Sequence, residues 1–193
     1  MHVHAAHHER RFSEAGYSLI ELLMVIAIVA VLGGMVMAIS ITQVEQSKAD
    51  AAVSAAANTI EIARNRAIAE RRNVEIHFVA PNRIWLGRQE PDGTVLKIAD
   101  TRLENDMIFK KFTAITDTPD EFGSLSEIDF DGPEPVMFTS DGSLVDDQGD
   151  PTNGTVLLGS RTGSNTETAR ALTLFGMTGL IQPWRWVGKW TGL

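Results

Sequence analysis

Apolar positions crowd the first quarter of the chain. From Leu22 to Val44 the sequence reads LLMVIAIVAVLGGMVMAISITQV and contains no charged side chain. A helix of ~20 residues, at about 1.5 Å per residue, spans the ~30 Å hydrocarbon core of a bilayer. A helix apolar on every face over that length seldom fits a small soluble domain. This run therefore predicts a membrane-spanning helix. Beyond Val44 the pattern becomes amphipathic. Val53, Ala56, Ile60, Ala63 and Ala67 recur at spacings of three and four and form one stripe, while Glu61, Arg64, Asn65 and Glu70 lie off it. Arg71 and Arg72 suit a helix C-terminus. The pattern predicts one helix from about Ser18 to Arg71, its first half in lipid or a filament core and its second half packed on a sheet.

After Asn73 the period changes to two. NVEIHFVA places Val74, Ile76 and Phe78 on one face and Glu75, His77 and Val79 on the other. Pro81-Asn82 marks a turn before RIWLGRQ, and Asp92-Gly93 marks another before TVLKIADTRL. MIFKKFTAI, SEIDF, PVMFTSDGSL, TVLLGS and ARALTLFGMTGLIQPWRW read as the later strands. Short strands at this spacing predict a sandwich or two small antiparallel sheets, so the class is α+β.

The sixteen residues ahead of the apolar run, MHVHAAHHERRFSEAG, are polar, and Arg10 and Arg11 hold this end on the cytoplasmic side. A secretory signal peptide is cut after its apolar region. Here the cleavage candidate precedes it, in Gly16-Tyr17-Ser18-Leu19-Ile20-Glu21-Leu22-Leu23. This stretch resembles the class III signal of type IV prepilins, typically G-F-T-L-I-E-L-L before an apolar helix, with Tyr17 in place of Phe. The resemblance implies cleavage after Gly16 by a prepilin peptidase and N-methylation of Tyr17. It also implies a leader at 1–16, which would discard His2, His4, His7 and His8.

Glu21 stands out without any family. A lone carboxylate in an apolar helix costs about 2.5–3.5 kcal/mol on insertion scales and usually has a partner. The span offers no cation. The amino terminus of Tyr17 on a neighbouring subunit would supply one, and the pilin resemblance gives Glu21 this role in filament assembly; hydration at headgroup depth is the alternative. Gly33 and Gly34 either loosen the helix, at roughly 1 kcal/mol each relative to alanine, or permit close helix approach.

The order of pieces is similar to the GspH/FimT group of minor pilins: a long helix, β-hairpins, F-x-x-D-G (Phe138, Asp141, Gly142), then a terminal hairpin with Ala171-Leu172-Thr173-Leu174 and Thr178-Gly179. The resemblance implies a pilin-like fold divided into a leader (1–16), a membrane or filament-core helix (17–44), an amphipathic helix (45–72) and a periplasmic β-rich domain (73–193). It implies a minor pseudopilin near the tip of a type II secretion pseudopilus, anchored in the inner membrane. Its partners would be other pilins and the prepilin peptidase/methyltransferase. The rival within the group is a FimT-like minor pilin that binds DNA for uptake. Such members use a G-R-x-R element, and here the corresponding place reads Gly179-Leu180-Ile181-Gln182.

Charge refines this picture. The 193-residue chain carries a net charge of −8 and no cysteine, which excludes disulfides, thiolate metal sites and cysteine nucleophiles. Between Lys111 and Arg161 there are acids but no Lys or Arg. Asp141 to Asp150 supplies oxygen donors that suit Ca²⁺ but lacks EF-hand spacing, so a solvated loop is the default. The tail interleaves Trp184, Trp186 and Trp190 with Arg185 and Lys189, a pattern that fits nucleic acid or a protein contact. No catalytic motif is visible, and the sequence implies neither cofactor nor metal. An anchored enzyme with an unrelated β domain is the remaining alternative.

Overall fold

The computed structural model describes residues 17–162 and 166–193; within its helix the side chains of residues 35–42 also fall outside the described set. Gly16, His2, His4, His7, His8, Arg10 and Arg11 therefore lie outside the described residues, as do side chains in part of the expected membrane span. The chain divides into two compact units, Met1–Thr42 and Gln43–Leu193. Helix α1 is Leu19–Glu70 and runs unbroken through Gly33 and Gly34. Among the described residues, no helix is long and apolar enough to cross a membrane.

In the second unit, the stripe read from the sequence is the buried face. Val53, Ala56, Ile60, Ala63 and Ala67 are fully buried, joined by Ala49 and Ala52. Alanine dominates because small side chains let the helix axis approach the strands closely. The C-terminus differs slightly from expectation. The helix stops at Glu70, no basic residue lies in its last turn, and Arg71 adopts φ 53°. The Arg72 amide bonds back to the Ala67 carbonyl at 3.2 Å, a Schellman-type closure with arginine where glycine is usual.

Two antiparallel sheets follow. The first has strand order β3-β2-β1-β6-β7, from β1 (Val74–Val79), β2 (Arg83–Gln89), β3 (Val95–Arg102), β6 (Val136–Phe138) and β7 (Leu144–Val145). The second has order β11-β10-β9-β8-β4, from β4 (Met107–Phe109), β8 (Gly154–Ser160), β9 (Arg170–Leu174), β10 (Ile181–Trp186) and β11 (Trp190–Gly192). Strand β5 (Ile128–Phe130) also pairs with β8, beyond β4 along the same edge. One apolar cluster joins α1 to both sheets through Ile60, Ile76, Leu86, Phe138, Leu158 and Leu172. This is the α+β, two-sheet arrangement that the sequence pattern predicts.

Three strand assignments need correction. MIFKKFTAI is a strand only over its first three residues, because Lys110 and Lys111 open a segment without helix or strand to residue 127. PVMFTSDGSL is two short strands, since Asp141 and Gly142 fold the chain back between them. Strand β11 has no hydrophobic run to announce it. The second sheet is also covered on both faces: all of β8 and β9 are buried. Its outer face carries Leu157, Ala171 and Trp190, packed with Phe112, Ile115, Trp184 and Trp186.

Truncating the helix stripe should be costly. Ile60→Ala should lower unfolding free energy by about 2–5 kcal/mol, whereas Ile62→Ala, at a half-exposed position, should change it by less than about 0.5 kcal/mol. Urea unfolding of the full chain in detergent measures both.

Candidate assembly helix and the clamps of the β domain

Tyr17 precedes the helix and is 83% exposed. The Ser18 carbonyl accepts the amides of Glu21 (3.0 Å) and Leu22 (3.1 Å) and so starts α1. Glu21 lies exposed in the first turn, where a carboxylate complements the helix dipole. From Leu19 to Leu32 the large apolar side chains point outward all round the helix and remain more than half exposed. The geometry is a bare apolar rod with one carboxylate near its start. Chemically it can associate with lipid or with other such rods.

Within the second unit, Asp50 of α1 gathers two arginines from the terminal strands. Its Oδ1 accepts Arg170 Nε at 2.6 Å, and its Oδ2 accepts Arg185 Nη2 at 2.6 Å. Arg170 and Arg185 face each other across β9 and β10. The Arg170 side chain is fully buried and also donates to the carbonyls of Glu167, Ala169 and Gln46. Burial pulls its guanidinium below its usual pKa and Asp50 opposes the shift; an arginine stays charged throughout.

A second clamp brings together two short motifs far apart in sequence. Arg64, off the apolar stripe, donates from Nε to the Gly142 carbonyl (3.1 Å) and from Nη2 to the Thr178 carbonyl (3.0 Å). The F-x-x-D-G turn thereby meets the T-G turn. Gly179 has φ 61°, and a Cβ there would sit 2.0 Å from the Gly142 oxygen, so only glycine fits. Phe138 is core. The Asp141 carboxylate accepts the hydroxyls of Thr139 and Ser143 and the Ser143 amide, which hold it down to about 2 from 3.8.

The acidic run is thus largely self-occupied. Asp146 Oδ1 accepts the amides of Gln148 and Asp150. Among the described residues no group of three or more His, Cys, Asp or Glu is placed to hold a metal ion. His77, the single histidine beyond residue 16, stacks on Trp85 with ring centroids 3.6 Å apart and bonds Glu75 at 2.7 Å.

The tail residues are also built in. Trp184 Nε1 donates to Thr173 Oγ1 (2.9 Å) and Asp120 Oδ2 (3.2 Å). Trp190 is buried, donates to the Thr116 carbonyl at 2.8 Å and meets Trp186 edge to face. Arg185 is tied to Asp50, while Lys189 is exposed in the β10–β11 turn. The partners Asp50, Arg64 and Asp120 escaped sequence reasoning.

Comparison with known proteins places these features. Residues 11–37 match the prokaryotic N-terminal methylation motif, which contains Gly16, Tyr17 and Glu21. The chain has a pilin-like fold. Its structure is similar to the type IV minor pilin FimU of Pseudomonas aeruginosa, with a TM-score of 0.51 and 16% identity over 76% of this chain and 95% of that one. It is also similar to the minor pseudopilin EpsH from the type 2 secretion system of Vibrio cholerae, with a TM-score of 0.47 and 13% identity over 72% and 97%. No curated protein matches the sequence. The chain thus joins this motif to a pilin-like fold.

Removing Asp50 should expose the cost of the buried guanidinium. Asp50→Ala should destabilise the unit by about 3–5 kcal/mol, while Arg185→Ala, at a half-exposed position, should cost at most about 1 kcal/mol. Chemical denaturation separates the two. Asp141 gives a pH signature. Its lowered pKa means that its contribution to stability is complete above about pH 4 and is lost as pH falls toward 2. Asp141→Asn should remove that part of the acid loss in a stability–pH profile.

Proposed function

We propose that this chain is a minor pseudopilin, a non-enzymatic structural subunit at or near the tip of a type II secretion pseudopilus, supporting protein export across the outer membrane. The observation that carries the reading is the methylation motif leading into an apolar rod whose one carboxylate is Glu21, on a chain with a minor-pilin fold. Residues 1–16 form the leader. The prepilin peptidase cuts after Gly16 and the new amino terminus of Tyr17 is methylated. Residues 17–44 anchor the chain in the inner membrane and later pack in the filament. Residues 45–72 and 73–193 make up the periplasmic part, which contacts neighbouring pilins.

Glu21 sets register in this scheme. In a low-dielectric bundle its carboxylate needs a counter-charge, and a neighbour's N-terminal amine provides one. A subunit displaced along the bundle would leave both charges unpaired.

The FimT-like reading, DNA capture for uptake, draws less support. Trp184 and Trp190 are engaged within the fold, Arg185 is tied to Asp50, and the G-R-x-R element is missing.

Two experiments in the native cell test the proposal. Glu21→Ala should be processed normally yet be recovered at least tenfold less in sheared filaments, and equal recovery would remove Glu21 from assembly. Deleting the gene should stop export of secreted enzymes while leaving surface pili and DNA uptake intact. The opposite pattern would favour the DNA-uptake pilin.

A further inference from the structure

We infer that residues 110–127 form a lid that lifts from the outer face of the second sheet while the rest of the domain stays folded. Both ends of the segment are tied to one residue. The Lys110 amide donates to the Leu157 carbonyl at 2.9 Å, and the Leu157 amide donates to the Glu127 carbonyl at 2.7 Å. A long loop whose ends meet at a single point is an Ω-type element, able to swing as a body. It contains no helix or strand.

Beneath it lies a separate apolar cluster of Leu157, Ala169, Ala171 and Trp190, with Phe112 and Ile115 supplied by the lid and Trp184 and Trp186 by the sheet. None of these residues belongs to the main core. Lifting the lid therefore leaves the helix–sheet core untouched, which is the condition for local rather than global opening.

The seam is incompletely matched. Thr118 on the lid is 2% exposed and Thr155 on the sheet is fully buried, yet neither hydroxyl has a hydrogen-bond partner in the structure. Buried orphan hydroxyls are rare in well-packed interiors, and water reaching an opened seam would satisfy both. A cavity of about 10 Å³ lies between Phe112, Ile115, Thr116, Leu157, Ala169 and Trp190.

The lid is held closed by Phe112 and Ile115 in the apolar cluster, by the edge-to-face contact of Phe122 with Phe175, and by a small set of polar clips. Trp190 Nε1 donates to the Thr116 carbonyl, and Asp120 Oδ2 accepts both Thr173 Oγ1 (2.5 Å) and Trp184 Nε1 (3.2 Å). Asp120 is the central clip because one carboxylate meets two strands. Closed, the lid covers the cluster of Leu157, Ala169, Ala171 and Trp190. This device stands independently of the filament role.

The chain has no cysteine, so a single introduced thiol reports opening cleanly. In the full chain in detergent, the Ala171→Cys thiol sits under the lid and the Ala63→Cys thiol sits in the main core; both positions are fully buried. Alkylation under native conditions should modify the first at least 100-fold faster than the second. Adding Asp120→Ala should speed the first a further tenfold and leave the second unchanged. Ala169→Cys, also under the lid, serves as the second reporter should Ala171→Cys fail to fold. Equal modification rates at lid and core positions, or an Asp120→Ala effect of equal size on both, would overturn the inference.

Discussion

Between Leu19 and Leu32 the large apolar side chains stand more than half exposed on every side of one helix. At about 25 cal/mol for each Å² of apolar surface, that much contact with water is a strong unfavourable term. Nothing in the described chain relieves it. The rod needs lipid or other rods, and either environment makes a charged group expensive unless it is paired. Glu21 sits where such a pairing would have to form, one helical turn beyond Tyr17. In the proposed role, membrane insertion, filament packing and subunit register reduce to covering apolar surface and neutralising one carboxylate.

The second unit solves a different problem. Its stretch of α1 buries a narrow, alanine-rich stripe against two sheets, and so gains little apolar area per residue. Polar clamps fix the helix where hydrophobic burial is lean. Asp50 binds the two arginines of the terminal strands, and Arg64 ties two distant turns together. The Arg170–Asp50 contact and the Arg64 clamp are sheltered from salt screening, because Arg170 is buried and Arg64 reaches backbone carbonyls, whereas the Arg185–Asp50 pair is half-exposed.

The sequence is legible where period and burial coincide. The stripe from Val53 to Ala67 and the alternation from Val74 to Phe78 both become core faces, because each depends on one helix or strand period. Tyr17, Glu21 and the apolar run are readable from a contiguous motif. The lid is not. MIFKKFTAI keeps the composition of a strand past Phe109, and what ends it is that β8 gives its next pairing positions to β5. Likewise Trp184 and Trp190 read as an aromatic, basic tail because their partners, Asp120 and Thr116, lie some seventy residues upstream. Long-range pairing of this sort leaves no local period to detect.

The most direct test of the account is the mass of the mature N-terminus, isolated from native membranes with and without the prepilin peptidase. The account predicts a chain that begins at N-methylated Tyr17 and reverts to the uncut, unmethylated form when the peptidase is absent. A chain that still carries residues 1–16 in both samples would contradict it, because the amine that Glu21 is proposed to meet would never form.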